Sequence, residues 1–393
     1  MTSTGCRELA QEVLDRCLAG APPGELPRGL LDEHCGHALF SILVEGLADR
    51  FEPALCDAYA LLFSQAVVYA YPSVDAASLI GRYQRVRRVR PFHGDPRRVF
   101  VLSRITLGAD VAVTSVVLAA AKQRFPGAEV VLVGPTKNHE LFAADPRIQH
   151  APVTYRRGAL HDRLAAWDEL QELLSDPDAL VLDPDSRLTQ LGLLPVCPEE
   201  RYRLFESRSY GGDSTRTLAE LTADWVEETL GIAGAKPYVA LGPALPTEPC
   251  IAVSLGVGEN PAKRLPDPFE EQLLALLAGT GIPLCIDRGA GGEEAERVTR
   301  AVRRSGAAAT FWEGSFAGFA SIIAGARWYV GYDSAGQHVA AACGVPLVSI
   351  FAGFPVPRMF DRWRPTGRNC HVLRVDRPHI GDILDRVAAV VSC

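Results

Sequence analysis

The sequence predicts an α/β protein with two doubly wound parallel-sheet domains behind an α-helical N-terminal extension. Three observations carry this. From residue 98 short apolar runs alternate with amphipathic helical stretches. The alternation starts afresh near residue 249, after the turn-rich segment KPYVALGPALPTEP. Before about residue 90 only helical spacing is found. The expected boundaries are 1–93 for the extension, 94–245 and 246–376 for the two α/β domains, and 377–393 for a last helix.

Taken in order, CRELAQEVLDRCLAG and HALFSILVEGLADRF repeat apolar residues at three- and four-residue spacing, and YALLFSQAVVYAYP suggests a third helix. RYQRVRRVRPFHGDPRR reads as a basic, solvated joint. RVFVLS, AEVVLVG, RIQHAPVTY and DALVLD read as strands, with the helix DVAVTSVVLAAAKQRFP after the first. In the second series CIAVSLG, IPLCIDRG, AAATFW, RWYVGYD, PLVSIF and CHVLRV read as strands. DPFEEQLLALLAGTG, EEAERVTRAVRRSG, SFAGFASIIAGA, AGQHVAAACG and GDILDRVAAVVSC read as helices. Strands joined by helices of this length form parallel sheets covered on both faces, and the two domains are expected to face a cleft.

Composition narrows the function. The 393 residues are 48% hydrophobic and 22% charged, a globular balance. A net charge of −7 argues against bulk nucleic acid or an anionic membrane as main partner. No apolar run reaches the length of a membrane span, and the most apolar early segment, 58–71, is interrupted by Ser64 and Gln65. The first residues lack a basic start followed by an apolar core, so no secretory signal is read there. The ten cysteines are scattered without a CxxC pair, and Cys250 and Cys285 lie in apolar runs, so a reduced, cytoplasmic setting is expected. Only four of the 40 basic residues are lysines.

In doubly wound sheets ligands bind beyond the carboxyl ends of the strands. Six turns lie there. YDSAGQH holds Asp333, Ser334, Ala335, Gly336, Gln337 and His338. Small residues at a helix start let a phosphate approach free N–H groups, and Asp333 could accept from sugar hydroxyls. The plain alternatives are a helix cap at Asp333 or Ser334 and a structural histidine at His338. SLGVGENPAKR holds Ser254, Gly256, Gly258, Lys263 and Arg264, two cations suited to a diphosphate leaving group. DRGAGGEE contributes Gly289 and WEGS Gly314. SRITLGAD holds Arg104, Thr106 and Asp110, whose carboxylate suits a general base or, more simply, a cap. DPDSRLTQ brings Asp185, Arg187 and Gln190, and outside these six turns the later segment FESRSYGG brings Glu206 and Arg208. These could hydrogen-bond a polar acceptor. The DPD triplet reads as turn aspartates rather than a metal motif.

RITLGADVAVTSVVLAAAKQRFPGAEV resembles the opening of family 9 glycosyltransferases, the ADP-heptose heptosyltransferases. Asp110 matches the aspartate of their LGD turn, and Ala109 replaces its glycine. SLGVGENPAKRLPDPFEEQLLALL is similar to the family's phosphate-binding segment, with Lys263 on its lysine. YDSAGQHVAAACGVPLVSIFAG is similar to the family's NDSGPMHLAAALGVP run; Asp333, Ser334 and His338 match and Ala335 replaces glycine. The resemblance spans about residues 98–375 and implies the GT-B fold. It implies an ADP-sugar donor in the C-terminal domain and an acceptor in the N-terminal one. It also implies metal-independent, inverting transfer with Asp110 as base and Lys263 meeting leaving-group charge. No cofactor or metal is expected. The expected partners are the ADP-sugar and a polar acceptor, with an oligomer through the N-terminal helices as a further expectation. A sugar-nucleotide epimerase on the same fold and a non-catalytic sugar-nucleotide-binding or assembly protein are the alternatives.

Overall fold

The computed structural model describes residues 2–242, 248–258, 260–289 and 291–391. Part of the expected interdomain joint, 243–247, lies outside them. The chain divides into two compact units. One comprises Met1–Thr106, Val116–His139 and Arg147–Ala235; the other comprises Leu107–Ser115, Glu140–Pro146 and Lys236–Cys393.

In the first unit β1 (Arg98–Leu102), β2 (Glu129–Gly134), β3 (Ile148–Pro152), β4 (Ala179–Asp183) and β5 (Tyr202–Leu204) form a parallel sheet in the order β3-β2-β1-β4-β5. The central strand β1 pairs Val99 with Val130 on one side and Leu180 on the other. Its near-continuous apolar run is what burial on both faces demands. The three-residue β5 has too few apolar positions to stand out as a strand, and it is an element that the sequence reading omits.

The N-terminal helices share one core with this sheet. Helix Ser3–Leu18 is capped by Thr2, which accepts from Gly5 N, and buries Cys6, Ala10, Val13, Leu14 and Cys17. A single apolar cluster contains Tyr59, Phe63, Leu79 and Tyr83 from the helices together with Phe100, Leu102, Val131 and Tyr202 from the strands. Residues 1–93 therefore belong to the first unit by packing.

Three readings change here. The basic joint begins as helix Ala76–Val86, capped by Asp75, and Arg82 within it is only 6% exposed. Arg87 follows directly and pairs with Glu206 at 2.7 Å. Secondly, helix Pro53–Ala70 is long and apolar enough, by length and composition alone, to span a membrane, but 56% of it is buried inside the protein, as in a core helix. Its polar interruptions are satisfied within the unit: Ser64 donates to Leu61 O in its own helix, and Gln65 accepts from Leu26 N, 39 residues away. Thirdly, Cys6 and Cys35 form a disulfide. His34 lies beside this pair, with all three potential ligand atoms within 4.8 Å of one another. Cys250 and Cys285 are buried thiols.

The second unit holds β6 (Ile251–Ser254), β7 (Leu284–Asp287), β8 (Ala309–Trp312), β9 (Trp328–Tyr332), β10 (Leu347–Phe351) and β11 (Cys370–Arg374). They form a parallel sheet in the order β11-β10-β9-β6-β7-β8. Ile251, Val253, Val330, Val348 and Ile350 share a core with Phe269, Leu273, Val298 and Val387 of the covering helices. The short helix Pro357–Trp363, with proline in its first turn, is a further element absent from the sequence reading.

Removing residues 1–93 should open the shared cluster. Loss of one large buried side chain costs about 3–5 kcal/mol, against about 5–15 kcal/mol for a whole domain. A chain starting near residue 97 is expected to be insoluble, or to lose the cooperative melting of the first unit in calorimetry. A soluble truncate melting as sharply as the full chain would show that these helices are dispensable.

Candidate active site

In the second unit the register of β6 and β9 sets Ser254 opposite Gly331, so the turns that leave these two strands are neighbours. The approach is close enough to need glycine. A Cβ on Gly331 would come within 2.5 Å of Ser254 O, and one on Gly336 within 2.6 Å of the Tyr329 ring. Tyr329 is fully buried, and its hydroxyl lies 3.1 Å from Ser334 Oγ.

After β9 the chain enters helix Ala335–Cys343. Ser334 is extended and makes no side-chain cap, so it leaves the first-turn N–H groups uncapped. Asp333 does not cap either. Its carboxylate receives Lys263 Nζ at 2.7 Å and Gln337 Nε2, while Lys263 also donates to Asp333 O at 3.2 Å. Gln337 is fixed in turn by Ser349, whose hydroxyl donates to its Oε1. His338 is 8% exposed and packs edge-on against Trp363. Burial pushes its pKa down to about 4; Asp333 opposes this and Lys263 adds to it. The imidazole is neutral at pH 7.

Lys263 ends a one-turn helix, Pro261–Lys263, capped by Asn260. Its side chain is 20% exposed. Arg264 turns away, pairing with Asp267 and Glu270. Glu270 also takes Arg297 and the Tyr332 hydroxyl, so this cation is part of a structural cluster. The Glu294 carboxylate accepts weakly from Val257 N and lies close to Gly256 and Gly289. Gly258 has φ +59, and Gly314 is exposed beside the Trp312 ring.

Asp110 belongs to the same unit. The segment Leu107–Ala109 is a single helical turn that continues as the π-turn Asp110–Thr114. Such turns recur at functional sites. Asp110 is fully buried and accepts from Thr114 Oγ1 at 2.5 Å; it lies inside the helix and is not its cap. A Cβ on Gly108 would sit 3.2 Å from both Ala335 Cα and His338 Cδ2. The Asp110 turn thus packs on the start of helix Ala335–Cys343, joining motifs far apart in sequence.

The expected acceptor residues lie in the first unit. Ile105 holds φ +73, a costly conformation for a β-branched residue, and its N–H donates to Ser103 Oγ. Arg104 donates to Pro184 O and Ser207 Oγ, with Asp185 at 3.9 Å, and Thr106 is exposed. Asp185 also has positive φ, +67, and meets Arg208 at 3.1 Å. Burial opposes its ionisation, but Arg208 and Arg104 outweigh this and hold its carboxyl below the usual range. Arg208 is buried over the Tyr59 ring and donates to Leu191 O. Glu206 accepts from Arg87, Tyr83 and Ser209, and burial pushes its pKa up to about 7 against the pull of Arg208. Gln190 is buried and donates to Arg163 O; Arg187 is half-buried. Asp185 and Glu206 therefore spend their hydrogen bonds inside the protein, as Arg208 does through Nε and Nη2. The sequence reading missed their partners Tyr83 and Arg87, whose signal was the RYQRVRR run. Asp183, the other DPD carboxylate, is occupied by Ser186 N, Thr189 and Tyr202.

Residues 220–383 match glycosyltransferase family 9 (heptosyltransferase). Over those residues the chain carries a domain similar to that glycosyltransferase family. No curated protein sequence matches it. It is similar to the solved family 9 glycosyltransferase of Veillonella parvula at 18% identity, covering 74% of this chain and 90% of that one, with a TM-score of 0.55. It is similar to E. coli WaaC with ADP-2-deoxy-2-fluoro heptose at 20% identity, covering 75% and 98%, with a TM-score of 0.54. For the E. coli ADP-heptose heptosyltransferase II the values are 19%, 75%, 98% and 0.51. These likenesses establish the GT-B fold. The family match begins after Asp110, so the role of that residue rests on its own surroundings.

His338 yields a pH prediction. The unfolded histidine titrates near 6.5 and the folded one near 4. Between these values the unfolded state binds the extra proton, so stability is whole above about pH 6.5 and is lost as pH falls toward 4. Melting temperature measured across this window should fall more steeply for the wild type than for His338→Gln. Parallel curves would mean that His338 is not held neutral by the fold.

Proposed function

We propose that this chain transfers a heptose-like sugar from an ADP-sugar to a hydroxyl or amine of a polar acceptor, with inversion and without a metal ion. The observation that carries this reading is the gathering of Asp110, Lys263, Asp333 and an uncapped helix start in one unit. WaaC has been solved with ADP and with an ADP-heptose analogue, which supports an ADP-sugar as donor.

In this reading the diphosphate lies at the N–H groups of Ala335, Gly336 and Gln337, where the helix dipole favours an anion. Lys263 exchanges its contact with Asp333 for a phosphate oxygen. Asp333 is then free to accept from a sugar hydroxyl. The acceptor oxygen or nitrogen attacks the anomeric carbon as the bond to the phosphate oxygen breaks. The electron pair leaves on ADP, where Lys263 meets the growing charge, and the acceptor proton passes to the Asp110 carboxylate. For the acceptor the reading draws on Arg104, Thr106 and Arg187, the less buried of the residues expected to contact it.

Lys263→Ala should weaken ADP binding in calorimetry and slow transfer by roughly 10² or more, as loss of a charge contact to a developing anion does. Unchanged ADP affinity together with unchanged turnover would leave Lys263 as no more than the partner of Asp333.

Asp110→Asn, assayed in EDTA with the donor and a panel of hydroxyl and amine acceptors, tests the base. It should melt near wild type, bind ADP normally and lose about 10²–10⁴ in turnover. Retention of more than about a tenth of the rate would place the base elsewhere and leave Asp110 as the partner of Thr114. Abolition of wild-type turnover by EDTA, with restoration by manganese, would overturn the metal-free part of the reading.

A further inference from the structure

A groove of about 670 Å³ opens in the first unit, lined by the 71–85 segment, helix Trp167–Leu173, Pro195 and Glu199. That volume is ordinary for a small-molecule site, roughly 300–1,000 Å³. None of its residues takes part in the transfer chemistry proposed above.

Arg82, one of the lining residues, is 6% exposed and has its guanidinium 4.7 Å over the Tyr202 ring. Nη1 donates to Gly192 O at 3.1 Å. Nε and Nη2 are both buried and have no partner among the described residues. A buried N–H without an acceptor is costly, so these two atoms call for an oxygen from outside the protein. The nearby Glu199 does not supply it: it is held by Arg85 through Nε at 3.1 Å and Nη2 at 2.7 Å.

The remaining lining asks for the opposite polarity. Asp168 is exposed, and Gln171 spends its amide nitrogen on Pro195 O, which leaves its oxygen as an acceptor. Tyr71 packs edge-on against Trp167, ring centroids 5.2 Å apart, and burial together with Asp168 keeps its phenol protonated. Leu79 adds an apolar surface. A ligand that satisfies this set must accept from Arg82, donate to Asp168 and Gln171, and offer an apolar face to Tyr71. Asp75, Asp168 and Glu199 outnumber Arg82 and Arg85 among the lining residues, which disfavours a strong anion. A pyranose ring fits: each hydroxyl both donates and accepts, and the C–H face is apolar.

We propose that this groove is an accessory carbohydrate-binding subsite that holds a neutral sugar unit away from the reacting atoms. It is joined to the loop after β4 through Gly192, whose carbonyl takes Arg82. Asp185, Gln190 and Leu191 of that loop all adopt positive φ. Occupation of the groove would therefore be felt by a segment whose backbone is already strained.

The test uses the full-length chain in saturation-transfer NMR with cellotriose, maltotriose and chitotriose, and a parallel titration with inorganic phosphate. At least one trisaccharide should receive saturation on its ring C–H protons. Tyr71→Ala and Asp168→Ala, both on the groove rim, should each weaken it by about tenfold, the effect of losing one good contact. ADP affinity should not change in either variant. The proposal is overturned if no trisaccharide receives saturation, if both variants bind as the wild type does, or if phosphate binds and the sugars do not. Because ADP binding is read separately, its loss in the wild type would count against the transfer reading and not against the groove.

Discussion

The parallel register of β6, β9 and β10 is the constraint on which the second unit depends. Ser254 pairs with Gly331, and Tyr332 with Ile350, so three strands end at nearly one level. Every chain leaving that level must turn into a helix or loop on the same side. The 255–264 turn, the Asp333–Ser334 turn and the turn after Phe351 are thereby made neighbours. Lys263 can then reach Asp333 at 2.7 Å, and Asn260 lies within 3.5 Å of Gly353 O. A slip of one residue between β6 and β9 would turn every side chain of one strand to the other face and separate these partners.

The first unit meets a different constraint. Its helices bury charge against the sheet and must pay for it with pairing. Arg208 meets Asp185 and lies near Glu206, Arg87 meets Glu206 and Asp57, and Tyr83 reaches Glu206 as well. Breaking one member of such a set leaves a buried charge without its partner, which is far more damaging than losing a surface pair. The network also fixes chain position. Arg82 and Arg208 bond the carbonyls of Gly192 and Leu191, and Tyr59 bonds that of Gln190. Three consecutive carbonyls of one loop are held by residues of the helices and by Arg208.

Much of this was legible in the sequence, for reasons that can be named. Strands β1, β2, β4, β6, β7, β9 and β10 stand out because central parallel strands are apolar on both faces, and the helices between them keep a 3.6-residue period. The residues of the candidate site in the second unit stood out because strand ends, glycines and a rare lysine coincide in two short turns. Glu206 and Arg208 were legible as polar residues but not as buried ones. Their burial depends on helices whose contacts no local pattern reveals. Arg82 and Arg87 sit in a run of arginines that looks solvated, because a one-dimensional pattern does not distinguish a charge facing water from one facing Glu206. The pairing of Arg264 was hidden for the same reason: beside Lys263 in sequence, it meets Glu270 in space. The disulfide between Cys6 and Cys35 joins residues 29 positions apart with no motif to announce them.

The pairing of Lys263 with Asp333 bears directly on how the site could work. Both groups are largely withdrawn from water, with side-chain exposures of 20% and 7%, so neither would be stable there alone. Without ligand they compensate each other. An arriving diphosphate offers Lys263 a stronger anion, and the uncapped N–H groups at Ala335 offer the same ligand a second hold. Asp333 is then left without its cation, in a place where an unpaired carboxylate is costly. A ligand carrying only the diphosphate would bear that cost. One that also brings hydroxyl groups within reach of Asp333 would relieve it. On the proposed reading, the Lys263–Asp333 pair would therefore favour a sugar nucleotide over a bare nucleotide, and discrimination between donor and product would follow from the charge balance of two side chains.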